Sequence, residues 1–203
     1  FGFQIRLSFF RHSGMVQKTK NIAYYCSLFS KLRRDGKNGG APHKPVLLIS
    51  LIQAYISGLY HSREIYVTPE LLGIFKSNWH NLVRTKHDCL FCLPFYHMRT
   101  EPFWELVPNA GFEAWHGSRI SIRNLTTLNI AVKSALIDED LYYIIQNKSD
   151  ADILIEFLLD IYFSDTKHLF FEKNNLYLSS IENEIINTSE KNYKKEFLNL
   201  NEI

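Results

Sequence analysis

Apolar residues along the chain recur with two different periods, and the changes between them mark the elements. Between Lys18 and Asp35 they fall at Ile22, Tyr25, Cys26, Leu28, Phe29 and Leu32, the spacing of an amphipathic helix. Lys31, Arg33 and Arg34 close its last turn, where the helix dipole favours cations. The stretch Gly36-Lys-Asn-Gly-Gly-Ala-Pro42 ends it as a flexible loop with basic edges. A second helix starts near Pro45, whose ring suits a first turn that needs no N–H donor. Val46, Leu47, Leu48, Ile49, Leu51 and Ile52 make this helix apolar nearly all round, and so central to the core.

Ile65-Tyr-Val67 reads as a short strand, and Thr68-Pro69-Glu70 supplies the N-cap, first-turn proline and acid of a helix running to about Val83. Arg84 to Asp88 is a polar loop. From Leu90 to Pro108 two crowded runs, Leu90 to Tyr96 and Phe103 to Val107, flank Arg99-Thr-Glu-Pro102, which predicts two strands joined by a turn. Pro94 would then lie on a sheet edge or beside a bulge. Arg119-Ile-Ser-Ile-Arg123 alternates and predicts a further strand with arginines on one face. Asn124 to Leu136, Asp138 to Asn147 and Ser149 to Phe163 predict three helices, the last two capped by Asp138 and Ser149. The sum is an α+β, helix-dominated single domain with a small antiparallel sheet, spanning residues 15–163. Phe1 to Gly14 read as a leader, extraneous or disordered, ahead of Met15 as a start. Residues 164–203, rich in Asn, Lys and Glu, read as a helical connector or tail.

Composition changes this picture little. The chain has 203 residues, 46% of them apolar and 14% aromatic, which excludes disordered, collagen-like and coiled-coil classes. The apolar-leaning run from Val46 to Tyr60 is interrupted by Ser50, Gln53, Ser57 and Gly58. It falls short of the roughly 20 residues a membrane helix needs, so no membrane partner is expected. The first residues lack the apolar core and cleavage site of a secretory signal. Three cysteines make no disulfide framework and point to a reducing, cytoplasmic location.

Charge changes it more. The net charge is only +2, yet residues 1–100 carry 14 Lys and Arg against 4 Asp and Glu, while residues 101–203 carry 9 against 17. A basic half of +10 draws polyanions through its summed field and through counterion release. Two solvated surfaces without a partner are the plain alternative.

Candidate chemistry is confined to a few places. Cys89-Leu-Phe-Cys92 has the spacing of half a zinc site, with His80, His87 and His97 nearby; without a second pair, two buried thiols in a strand explain it as well. No metal and no cofactor is assigned. P-loop, dinucleotide-binding, zinc-protease and nucleophile-elbow motifs do not occur. His43-Lys44-Pro45 stands where a glycine-rich loop meets a helix N-terminus, a place where an imidazole and an ammonium would complete a phosphate-binding corner. His43 capping or packing the helix end is the alternative. Leu93-Pro-Phe-Tyr-His-Met-Arg99 carries His97 and Arg99 among aromatics, a ligand surface or an aromatic core segment with two polar residues turned outward. Phe103, Trp104 and Trp115 read as core or as base-stacking platforms.

Four segments in register resemble a known family: Ala41-Pro-His-Lys-Pro-Val-Leu-Leu-Ile-Ser50, then Leu93-Pro-Phe-Tyr-His-Met-Arg99 with Phe103-Trp-Glu-Leu-Val-Pro108, then Ala135-Leu-Ile-Asp-Glu-Asp-Leu-Tyr142, then Leu158-Leu-Asp-Ile-Tyr-Phe163. In this order they resemble the DNA sulfur-binding domain, the N-terminal module of Type IV, modification-dependent HNH restriction endonucleases. The resemblance implies a non-catalytic domain that binds double-stranded, phosphorothioate-modified DNA and targets a nuclease to it. Carried over by position, it implies a sulfur pocket at Leu93, Pro94 and His97, and DNA contacts from His43, Lys44 and Arg119; Arg99, carried beside the pocket by the same cluster, is read as a further DNA contact. Leu93 stands where the family has Tyr, and His97 where it has Ala. No HNH-like set of residues follows Phe163, so the sequence is expected to be either part of a longer endonuclease or a stand-alone reader, and a homodimer is one arrangement the reading allows. Two other expectations stand beside it: a DNA reader of sequence or another modification, and a protein-interaction domain.

Overall fold

A computed structural model of the chain describes residues 19–36, 39–114 and 122–172. Asn21 opens α1 (Ile22–Phe29) by accepting a hydrogen bond from the Tyr24 N–H at 3.0 Å. Tyr25 and Phe29 are its buried residues. The helix is shorter than its periodicity suggests, and Arg33 and Arg34 lie beyond it. The Arg33 N–H donates to Glu101 Oε1 at 3.1 Å, a partner that helical geometry does not offer.

The central element is α2 (His43–Ile56), in which every residue from His43 to Ile52 is buried. Helices α3 (Pro69–Leu82), α4 (Cys92–His97), α6 (Glu139–Gln146) and α7 (Lys148–Tyr162) pack around it. Thr68 caps α3 as expected, accepting from the Leu71 N–H at 3.2 Å with Pro69 in the first turn. A polar chain crosses from α3 into α2, where Asn78 Nδ2 donates to Ser50 Oγ at 2.9 Å and to Gln53 Oε1 at 2.6 Å. Ser50 in turn donates to the Val46 carbonyl at 2.7 Å, which satisfies a hydroxyl inside an apolar helix.

The sheet has three antiparallel strands in the order β1 (Glu64–Ile65), β3 (Val132–Ile137), β2 (Trp104–Pro108). Ile65 pairs with Ala135, which pairs on its other side with Leu106. The domain is therefore α+β and helix-dominated, with a small antiparallel sheet.

Four sequence expectations are corrected. The segment predicted as a strand from Leu90 is helix α4, followed by a 3-10 turn at Met98–Thr100. Its buried residues Phe91, Cys92, Phe95, Tyr96 and Met98 follow helical spacing, and Pro94 sits in the first turn, where its missing N–H is not needed. The single helix predicted over Asn124 to Leu136 ends at Ala131 as α5 (Leu125–Ala131), and the chain continues directly into β3. Pairing of β3 with strands on both sides outweighs local helix preference there. Ser149 lies inside α7; the cap is Asn147, accepting from the Asp150 N–H at 3.2 Å. Asp138 is the N-cap of α6, but its carboxylate does not cap: it accepts from Lys20 Nζ and Tyr25 Oη, at 2.5 and 2.6 Å, tying α1 to α6.

Packing continues past Phe163. Thr166 donates to the Leu82 carbonyl at 2.8 Å, and Phe170 is buried in the core. The predicted leader 1–14, most of the predicted strand 119–123, and residues 173–203 lie outside the described residues. Among the described residues, no helix is long and apolar enough to cross a membrane.

Candidate nucleic-acid interface

An open cleft of about 520 Å³ lies where the N-terminus of α2 meets α4 and the loop after α1. Helix α4 supplies Leu93, Pro94 and His97 to its wall. Leu93 and His97 are four residues apart and so share one face of the helix, while Phe91 and Phe95, also four apart, point to the core with rings 5.5 Å apart. Helix α2 supplies His43 and Lys44, the loop Arg33, Arg34 and Asp35, and more distant segments His87, Thr100 and Arg123. Five of the seven residues singled out in the sequence, His43, Lys44, Leu93, Pro94 and His97, thus line one cleft. Arg99 does not line it: its guanidinium stacks 3.9 Å from the centre of the Tyr96 ring. Arg119 lies outside the described residues.

His43, the first residue of α2, is held rigidly. Its Nε2–H donates to the Asp88 carbonyl at 2.9 Å, and its ring packs on Trp79 at 4.6 Å and edge-on against His87 at 5.8 Å. Burial lowers its pKa below the ordinary histidine value, more than the Asp88 carbonyl raises it. A helix N-terminus also disfavours a cation. His43 is neutral here and offers its surroundings shape rather than charge.

Lys44 is the sharpest difference between its sequence reading and its setting. Its side chain is 7% exposed, and its ammonium donates to Thr100 Oγ1 at 3.0 Å and, very closely, to Glu101 Oε1. Burial lowers its pKa despite the opposing pull of Glu101. The Glu101 carboxylate, equally buried, joins three parts of the site: Lys44 of α2, the Arg33 N–H at 3.1 Å and Thr100 Oγ1 at 3.4 Å. This pair builds the floor that sets Arg33 and Arg34 beside α4, and its charges cancel.

The charge offered to solvent comes from Arg33, Arg34 and Arg123, all exposed, against Asp35 alone among the lining residues. The Arg34 guanidinium sits over the Tyr162 ring, 4.4 Å from its centre, and donates to the Ala41 carbonyl at 3.3 Å. Gly40 makes room for it: at φ +88°, a side chain there would meet the guanidinium at 3.1 Å. In the sequence Arg33 and Arg34 carried only a helix-capping role, Arg123 only a place on a strand, and Thr100 no role. A run of two arginines ahead of a double-glycine loop was the signal available for the first two.

His97 is half-buried at the end of α4. Its Nδ1 accepts a long hydrogen bond from Arg99 Nη1 at 3.4 Å. Burial, then the neighbouring charges of Arg99 and Lys44, lower its pKa.

Among the described residues no group of three or more His, Cys, Asp and Glu is placed to hold a metal ion. Cys92 is buried in α4 and Cys89 is exposed in the loop before it, and burial raises the pKa of both thiols. They face different environments, not the shared strand interior expected of them. No known protein family and no curated protein sequence matches this chain.

What the cleft can do chemically follows from its parts. One wall is apolar, the rim is arginine, and the imidazole between them can donate or accept. Such a surface suits an anion that is partly hydrophobic and attached to a larger polyanion.

Proposed function

We propose that this domain is a non-catalytic reader of double-stranded DNA that recognises a phosphorothioate in the backbone and serves as the targeting module of a modification-dependent nuclease acting in the cytoplasm. The observation that carries the reading is the convergence of Leu93, Pro94 and His97 with Arg33, Arg34 and Arg123 on one cleft. Sulfur on a phosphate is larger, softer and less strongly hydrated than oxygen. An apolar wall therefore penalises an ordinary phosphate oxygen by stripping its water, while it accepts sulfur. The arginines provide affinity for the flanking phosphates, and the wall provides discrimination. The resemblance to the DNA sulfur-binding domain supports the same reading, and so does the basic N-terminal half.

A second reading keeps the DNA and drops the sulfur. It is favoured by His97, whose imidazole in the wall can hydrogen-bond an ordinary phosphate oxygen.

Titration of one duplex, with and without a single phosphorothioate, over a series of salt concentrations decides between them. Three arginine–phosphate contacts predict that log K falls with log[salt] with a slope of about −2.7. Tighter binding of the modified duplex supports sulfur recognition; equal binding with that slope supports the second reading. No salt-dependent binding to either duplex removes both and leaves a protein-interaction domain.

A further inference from the structure

We infer that His97 takes up a proton when an anion enters the cleft, so that ligand binding and proton uptake are coupled at this one residue. The inference rests on the reading of the cleft as a DNA-backbone site and adds a regulation to it.

On the helix of His97 itself stand Cys92 and Tyr96, whose ring centre is 5.5 Å away. From the following turn come Arg99, hydrogen-bonded to Nδ1, and Glu101. From α2 come Lys44 and the neutral His43, from the loop after α1 Arg33, Arg34 and Asp35, and from the remaining rim His87 and Arg123. Helix α5, which packs against α4, carries no charged residue. Of the two carboxylates nearest the floor and rim, Glu101 is committed to Lys44 and the Arg33 N–H. Cations therefore outnumber available anions around the imidazole. This excess, together with burial, holds it neutral with Nδ1 as acceptor and the proton on Nε2.

A phosphodiester, with or without sulfur, stays ionised at every pH at which the protein is folded. Its arrival cannot consume or release a proton by itself. It supplies negative charge to a cleft whose arginines outnumber the exposed Asp35 carboxylate, and so favours the imidazolium; the proton comes from solvent to Nδ1, and the long 3.4 Å hydrogen bond from Arg99 Nη1 is given up for it. His43 does not respond in the same way: it is 8% exposed, and its burial against Trp79 at a helix N-terminus opposes the imidazolium more than its donation to the Asp88 carbonyl favours it. Linkage then fixes the sign. A group whose pKa rises on binding makes the ligand bind more tightly at low pH, and the advantage is lost as pH rises through the pKa of the complex.

Two measurements test this on the intact protein with a duplex carrying one phosphorothioate. Affinity should fall roughly three- to tenfold between pH 6 and pH 8, with no more than one proton involved. Calorimetric titration in two buffers of different ionisation enthalpy should count between zero and one proton taken up near pH 7. His97→Gln should bring that count to zero and flatten the pH profile, while His80→Gln, at an exposed position on α3 outside the cleft lining, should leave both as in the parent. His97→Asn serves the same purpose if the Gln variant fails to fold. Salt-dependent binding with no proton uptake in the unsubstituted protein overturns the inference and leaves the DNA reading standing. So does uptake that survives in the His97 variant or disappears in the His80 variant. Absence of salt-dependent binding at any pH removes the DNA reading itself.

Discussion

The buried pair between Lys44 and Glu101 separates a structural cation from a ligand-binding one. The two side chains are 7% and 6% exposed, so replacing either partner leaves a charge in a place with almost no water. Breaking such a pair costs about 3–5 kcal/mol, a large part of the 5–15 kcal/mol that stabilises an ordinary domain. Lys44→Met keeps the length of the aliphatic stem but strands the Glu101 carboxylate. Glu101→Gln keeps an acceptor for the Arg33 N–H, 3.1 Å away, but strands the ammonium. Each should lower stability by about 3 kcal/mol in urea unfolding, with an unchanged m-value, and lower Tm by roughly 6–12 °C. The double variant has neither stranded charge and retains the Arg33 contact. It should be no less stable than either single variant, giving a coupling of about 3 kcal/mol. Because the two charges already cancel, its DNA affinity should also show the parent salt slope. Single losses below about 1 kcal/mol that simply add, accompanied by a shallower salt slope for Lys44→Met, would refute the assignment and return Lys44 to the phosphate-binding surface.

Arg123→Ala, at an exposed position on the cleft rim and away from the Lys44–Glu101 floor, should reduce the magnitude of the salt slope by about 0.9 without changing Tm, as read from anisotropy titrations and thermal melts. Leu93→Glu places a carboxylate on the half-buried apolar wall and should remove any preference for phosphorothioate over ordinary DNA, measured as the ratio of the two affinities. Cys92→Ala, at a buried position in α4, should cost about 1 kcal/mol, whereas Cys89→Ala, exposed in the loop, should stay within about 0.5 kcal/mol of the parent in urea unfolding.

How far the sequence could be read depends on whether the deciding partner was near in the chain. Thr68, Pro69 and Glu70 specify the start of α3 within one turn, and the structure places them as read. The apolar run after Pro45 identifies α2 as the central helix for an equally local reason. Short apolar segments are different, because burial on all sides erases the period that tells helix from strand. Leu90 to Tyr96 is such a case, although the four-residue spacings of Phe91 with Phe95 and of Leu93 with His97 were present to be weighed. β3 was hidden more deeply. Ala135 is a strand residue because Ile65 and Leu106 lie on either side of it, and neither is within 28 residues along the chain.

The same distinction governs the site. Charge can be counted along a sequence, but whether a charge is available depends on what it meets in the fold. Lys44 is neutralised by a carboxylate 57 residues away, and Asp138, which reads as a helix cap, is drawn off by Lys20 and Tyr25. The excess of the N-terminal half therefore overstates what a ligand would feel at Lys44 and says nothing of Arg123, which the fold brings to the same cleft from the acidic half. The useful cations are those with nothing buried to satisfy. By that criterion the proposed DNA reading draws its affinity from the arginines of the cleft, and Lys44 and His43 hold the shape that sets those arginines beside the apolar wall.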